Sequence, residues 1–259
     1  MAAPVNDART ALVTGAGRGI GRATALRLAA DGVRVLAVAR TAGELESLAA
    51  ECGAEWLAAD LADPAACAHA VAETERRLGR IDILVNNAGI GSAGEQPLWL
   101  QDPERWRQAM ALNLDAPFEL TRLALPGMID RRFGRVVMVA SLAALAAGVA
   151  PGMSAYVVSK HGLLGLMRAV AVEVAEYGVT CNAVLPGSVR TRTAELKVAE
   201  EAARLGGSVE DAWAAREARS FARRLVDEAE VAGAIRFLAS DEASGVNGEA
   251  LGVGLQPWG

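Results

Sequence analysis

Thr14-Gly15-Ala16-Gly17-Arg18-Gly19-Ile20-Gly21 is the stretch that decides the fold of this chain. It follows the short β-rich run Thr10–Thr14 (TALVT) directly and opens the helical pattern Ile20–Asp31. In a strand–loop–helix unit Gly15 permits a tight turn, and Gly19 lets the backbone approach a bound group. Gly21 lets the helix pack close to the sheet. The first helical turn then presents N–H groups without intrahelical partners, at the positive end of the helix dipole. Together these features predict a nucleotide-phosphate site on Gly15, Gly17, Arg18, Gly19, Ile20 and Gly21.

Outward from the loop, short apolar runs alternate with longer amphipathic ones. Strands are expected at Val33–Ala39, Glu55–Ala59, Ile81–Val85, Arg135–Ala140, Val179–Val184 and Ala250–Val253. Helices are expected at Leu45–Glu51, Ala65–Leu78, Pro103–Met128, Ala155–Tyr177 and Glu228–Ala239. Strands that lack polar alternation and are separated by helices imply a parallel sheet covered on both faces. The fold class is therefore α/β, a doubly wound, Rossmann-like sheet. No linker or repeat divides the chain, so residues 1–259 are read as a single dinucleotide-binding and catalytic domain. Arg190–Asp227, rich in Ala, Glu and Arg and interrupted by Gly206-Gly207, is too long for a simple crossover. It is expected to be a helical lid over a substrate.

Composition narrows the function classes. At 52% hydrophobic residues the chain can bury a substantial core, and a net charge of −5 gives no basic footprint for nucleic acid. Three scattered cysteines, no CxxC and only two histidines, His69 and His161, argue against a metal site and for reduced, buried thiols. The first ten residues hold Asn6, Asp7 and Arg9 and no apolar core of a signal peptide. Val136–Ser159 carries no charge and is long enough to span a bilayer, but Gly148, Pro151 and Gly152 interrupt it. It reads as a buried strand, a loop and the start of a helix, so the expectation is a cytoplasmic protein with neither a membrane nor a nucleic-acid partner.

Tyr156 and Lys160 are four positions apart in a helical pattern, which places them on one face. An unperturbed tyrosine pKa of about 10 is too high for efficient acid–base work at neutral pH, and a neighbouring cation lowers it. His161 has a different helical phase and is read as structural.

The spacing TGxxxGxG, rather than GxGxxG, resembles the loop of the short-chain dehydrogenase/reductase family, in its single-domain branch of about this length. The resemblance continues through Asn86-Asn87-Ala88-Gly89, Asn113, Ser141, Tyr156-Val157-Val158-Ser159-Lys160 and Pro186-Gly187, in family order. It implies an oxidoreductase that moves a hydride between nicotinamide and a carbonyl or secondary alcohol, with ketone reduction as the expected direction. By the same resemblance Tyr156 is the proton donor or acceptor. Lys160 lowers its pKa and holds the nicotinamide ribose, Ser141 bonds the substrate oxygen, and Asn113 supports the lysine through water. Asp60, with Leu61 beside it, is expected at the adenine, and Asn87, Ala88 and Gly89 at the adenosine ribose. Pro186, Gly187, Val189 and Thr191 are expected near the nicotinamide carboxamide. A homotetramer, or a homodimer, is the family's habit.

In Rossmann sites an acidic residue about 20 positions past the loop binds the ribose 2′-hydroxyl and favours NAD. Here Ala39 and Arg40 stand at that position, and Arg18 lies in the loop. Two guanidinium groups suit a 2′-phosphate, so NADP(H) is the expected cofactor and NAD(H) the alternative. The competing functions are an NAD-dependent hydroxyacid or alcohol dehydrogenase and, more distantly, a catalytically silent nucleotide-binding protein.

Three features depart from the family pattern. Ser141 and Tyr156 are fifteen positions apart where thirteen is usual, which places two additional residues in the run Leu142–Ala150. The tail reads Gly254-Leu255-Gln256 where Asp-Gly-Gly is common, and the segment from Arg190 to Asp227 is long. Candidate walls of the substrate pocket are Trp99, Leu142, Val149, Met153, Val189 and Trp213. Phe221 is a further candidate for shielding a substrate. Arg192, Lys197 and Arg204 are weighed between substrate contacts and plain surface charges.

Overall fold

The computed structural model describes residues 8–91, 96–145, 152–191, 194–195, 198–199, 202–203, 206–218 and 220–255. Its strands are β1 (Thr10–Thr14), β2 (Arg34–Ala39), β3 (Glu55–Ala58), β4 (Ile83–Asn86), β5 (Gly134–Val139), β6 (Val179–Pro186) and β7 (Ala250–Val253). They form one parallel sheet in the order β3-β2-β1-β4-β5-β6-β7. The central strands are runs of aliphatic residues because both their faces are covered: every residue of β1, β4, β5 and β6 is buried. Leu12 lies in register with Leu36 on one side and Leu84 on the other, and all three are fully buried. Each such side chain contributes about 1.5–3 kcal/mol of hydrophobic stabilisation.

The helices are α1 (Gly19–Ala30), α2 (Ala42–Cys52), α3 (Pro64–Leu78), α4 (Pro103–Met110), α5 (Ala116–Asp130), α6 (Ser154–Val174), α7 (Val209–Ala218) and α8 (Glu228–Ala239). One core joins α3, α5 and α6 to a face of the sheet through Val71, Leu120, Met128, Leu163 and Met167. The other joins α1, α2 and α8 to the opposite face through Leu28, Leu45, Leu48, Ile235 and Leu238. The chain runs from β1 outward to β3, then returns to β4 and proceeds to β7. The order reverses between β1 and β4, and a crevice for a ligand opens at the carboxyl ends of the strands there.

The expected helix Pro103–Met128 is not one α-helix. Residues Ala111–Asp115 form a π-turn between α4 and α5, an insertion of the kind that re-aims a side chain. Asn113 lies in that turn and is fully buried. The uncharged stretch Val136–Ser159 resolves into β5, a short 3-10 turn (Leu142–Ala144) and the start of α6. No described helix is long and apolar enough to cross a membrane.

Segment 190–227 contains α7, and a bridge pairs Val226 with Val189. Trp213 is 7% exposed, with the Arg190 guanidinium 4.9 Å from its ring centre, so it packs within its own segment. Phe221 is 75% exposed. Arg192, Lys197, Arg204, Val149 and the tail from Gln256 onward lie outside the described residues.

Candidate active site

The carboxyl ends of β1, β4, β5 and β6 open onto one cleft of about 360 Å³. The glycine loop forms its floor at one end, where Gly15, Gly17, Arg18, Gly19 and Ile20 line it. Gly15 and Gly19 have φ of +65° and +61°, left-handed values that a side chain resists. Gly21 stands behind the lining: a Cβ there would strike the Gly15 carbonyl oxygen and lie 2.5 Å from Asn87 Nδ2. Arg18 caps α1 without a side-chain capping bond, and no acid occupies the first turn. The helix start is therefore an open set of N–H donors with a positive dipole, the surroundings a pyrophosphate requires.

Thr14 fastens this loop to β4. Its Oγ1 accepts from the N–H groups of Asn87 (2.9 Å) and Ala88 (3.0 Å) and donates to the Val85 carbonyl (3.1 Å). Asn87 Nδ2 donates back to the Thr14 carbonyl at 2.8 Å. The Asn87-Ala88-Gly89 turn is thereby held along the cleft wall.

At the far end of the loop the lining passes to Ala39, Arg40 and Thr41 after β2, and to Asp60 and Leu61 after β3. Asp60 Oδ1 accepts from the Ala62 N–H at 3.2 Å. Sequence reasoning missed a carboxylate here. Because α2 starts at Ala42, three residues ahead of the expected Leu45, it carries Glu44 into the cleft wall beside the glycine loop. Glu44 lies 3.6 Å from the Arg18 guanidinium. The lone signal in the sequence was its place in the first helical turn, where acids are favoured.

Ser141, Tyr156 and Lys160 line the other end of the same cleft. Ser141 follows β5 and caps the 3-10 turn, accepting from the Ala143 N–H at 3.2 Å. Tyr156 and Lys160 sit one turn apart on α6. Desolvation raises the Tyr156 phenol above its ordinary pKa, and a side-chain hydrogen bond with Ser141 pulls it partly back. Burial pushes the Lys160 ammonium down to about 8. Its Nζ donates to the Val139 carbonyl at 2.8 Å and stands 6.0 Å from the centre of the Tyr156 ring. Burial sets the direction of the phenol's shift. The joint Ser141–Tyr156 contact also shows that the two additional residues between them leave these side chains within reach of each other.

Asn113 lies near the lysine, its Oδ1 and Lys160 Nζ flanking the same point at Gly89 at 3.0 and 3.5 Å. Its Oδ1 accepts from the Ile90 N–H (2.8 Å), and its Nδ2 donates to the Ile90 carbonyl (3.0 Å) and to Ser159 Oγ (3.0 Å). The side chain clamps the stretch after Gly89 to α6. His161 bonds the Val157 carbonyl at 2.9 Å within its own helix.

Pro186, Gly187, Val189 and Thr191 line the cleft where β6 ends. Ile90, Val139 and Ala140 line it too, apolar or backbone positions that no motif singled out. Of the candidate substrate walls, Val189 faces the cleft, Leu142 is buried beside Gly254, and Met153 is half-buried. Trp99 is 81% exposed on the turn Leu98–Leu100. Among the described residues no three His, Cys, Asp or Glu side chains gather as a metal site would require.

A model of the short chain dehydrogenase family matches residues 9–202. The 3-oxoacyl-acyl-carrier-protein reductase of Escherichia coli (strain K12) is 33% identical over 249 residues, covering 95% of this chain and 96% of that protein. The crystal structure of an actinorhodin polyketide ketoreductase variant with NADPH superposes with a TM-score of 0.90 at 34% identity, covering 98% and 97% of the two chains. An NAD+-bound xylitol dehydrogenase superposes at 0.87, with 29% identity and coverage of 95% and 98%. The glycine loop, the Ser141–Tyr156–Lys160 cluster and these likenesses agree: the chain belongs to the short-chain dehydrogenase family, oxidoreductases that move a hydride between a nicotinamide cofactor and a carbonyl or alcohol carbon.

Proposed function

We propose that this protein is an NADP(H)-dependent ketone reductase in which Tyr156 is the general acid. The observation that carries the reading is the single cleft, with a phosphate-binding helix start at one end and Ser141, Tyr156 and Lys160 at the other. The cradle of glycines that a Cβ would fill fits a dinucleotide. The bound nicotinamide supplies the hydride. Tyr156 gives its phenolic proton to the carbonyl oxygen as negative charge develops there. Ser141, already bonded to Tyr156, donates to the same oxygen and holds it in place. Lys160 sets a positive charge one helical turn from the phenol, against the tyrosinate left when the proton departs. Asn113 acts as a positioning residue, fixing Ile90 on the cleft wall and Ser159 next to Lys160.

Two observations support NADP(H). Arg40 lines the adenosine end and has no ion-pair partner among the described residues, and the actinorhodin ketoreductase neighbour carries NADPH. The second reading, an NAD-dependent alcohol dehydrogenase, rests on Glu44 in the same wall and on the NAD+-bound neighbour. Segment 190–227 is assigned as a lid, since its start carries Thr191 on the cleft wall. The working state is a cytoplasmic homo-oligomer, a tetramer or a dimer. The test is a screen of ketones and alcohols with NADPH and NADH, followed at the nicotinamide absorbance. The reading stands if ketones are reduced with NADPH preferred, and it falls if no ketone is turned over.

A further inference from the structure

The glycine loop has a carboxylate on either side. Glu44 stands over Gly17 and is paired with Arg18. The other is Glu228, the first residue of α8, whose Oε1 lies 3.5 Å from the point a Cβ on Gly19 would occupy. Thr191 flanks the same point at 3.8 Å, and both Gly19 and Thr191 line the cleft. Glu228 is half-buried and has no hydrogen-bond or ion-pair partner among the described residues. Burial pushes its carboxyl pKa up, and two charged groups add to this: Asp227, the cap of its own helix, and Glu195 beyond Thr191. The arginines of the adjoining elements hold other acids: Arg190 with Glu195 (3.7 Å), Arg224 with Glu230 (2.7 Å) and Arg22 with Glu51 (2.6 Å).

An unpaired, partly desolvated carboxylate costs stability and projects its field over the nearest donors. Here those donors are the open N–H groups at the start of α1. We infer that Glu228 is a determinant of dinucleotide affinity that acts by repulsion, weakening the loop's hold on the pyrophosphate and hastening dinucleotide release. The inference rests on the cleft being the dinucleotide site. It is independent of the choice between NADP(H) and NAD(H), since both carry the pyrophosphate.

The test compares wild type with Glu228→Gln and Glu228→Ala by quenching of nicotinamide fluorescence, using NADPH and NADH in separate titrations. Both variants are expected to bind both dinucleotides about 3–10-fold more tightly at low salt, with correspondingly slower release in stopped flow. The gap should narrow near 0.5 M salt, roughly where screening reaches a few ångströms. It should also close as the pH is lowered through the raised carboxyl pKa, because wild type then loses its charge. Titration of the 2′-phosphate affects all three proteins alike and cancels in the ratio. A helix-cap or packing role would move stability but not this salt- and pH-dependent ratio. Unchanged or weaker binding by the variants overturns the inference. Failure of all three proteins to bind either dinucleotide would instead overturn the assignment of the cleft, and this inference with it.

Discussion

Arg40→Ala removes the cation at the adenosine end that has no carboxylate partner among the described residues, whereas Arg18 already shares its charge with Glu44. The two arginines should therefore respond differently. A charge-assisted hydrogen bond contributes about 1.5–3 kcal/mol, and Arg40, being exposed, belongs at the low end. Its loss should raise KM for NADPH about tenfold and leave that for NADH nearly unchanged. The Arg18–Glu44 pair, with side chains 48% and 28% exposed, contributes on the order of 1 kcal/mol or less by itself. Arg18→Ala nevertheless costs NADPH more than Arg40→Ala does, because it both removes a cation and leaves Glu44 bare beside the phosphate. Glu44→Gln should improve NADPH binding, and Arg18→Ala combined with Glu44→Gln should recover part of the loss, a coupling that a double-mutant cycle reads directly. Ala39→Asp should push preference toward NADH by adding an acceptor for the ribose hydroxyl and repelling the phosphate. The assay is kcat/KM with both cofactors across this set. Wild type preferring NADH, or Arg40→Ala harming both cofactors equally, would refute the reasoning.

Three further outcomes follow from the geometry. Lys160 is held near pKa 8 in the fold against about 10.4 in an unfolded chain, so between those values the unfolded state binds more protons and stability rises with pH. Wild type should gain about 1–2 kcal/mol on Lys160→Met between pH 7.5 and 9.5 in urea unfolding, and parallel curves would contradict this. Gly21→Ala should abolish dinucleotide binding and lower stability by about 1–3 kcal/mol, as its Cβ meets the Gly15 carbonyl and Asn87; an intact thermal shift with NADPH would count against the cradle. If segment 190–227 is a lid, cofactor plus substrate should slow its cleavage in limited proteolysis, while equal rates would mark a fixed insertion.

The elements that the sequence exposed most clearly are those whose pattern is local. Thr10–Thr14, Glu228–Ala239 and Ala250–Val253 have the bounds their apolar runs suggested, and the Asp227 capping box explains the clean start of α8. The π-turn at Ala111–Asp115 was hidden because one inserted residue barely disturbs an amphipathic pattern, yet it turns the Asn113 side chain onto Ile90 and Ser159. Glu44 and Glu228 could not be placed beside the glycine loop from spacing alone. Glu44 depended on where α2 begins, and Glu228 arrives from a helix more than 200 positions away. Trp99 and Trp213 show the limit for apolar residues: the same side chain serves as a pocket wall, an exposed turn or internal packing, and tertiary contacts alone decide.

The central claim is a hydride delivered to a carbonyl carbon with a proton from Tyr156, and isotope transfer tests it most directly. Wild type and Tyr156→Phe are incubated with NADPH deuterated at the transferred position of the nicotinamide and with ketones that include a 3-oxoacyl thioester and a cyclic ketone. Products are then analysed by mass spectrometry. The account predicts one deuterium at the carbinol carbon of at least one wild-type product. Tyr156→Phe should form that product about 10²–10⁴-fold more slowly while its Kd for NADPH stays near wild type. Products without deuterium, or a Tyr156→Phe rate above a tenth of wild type, would contradict it.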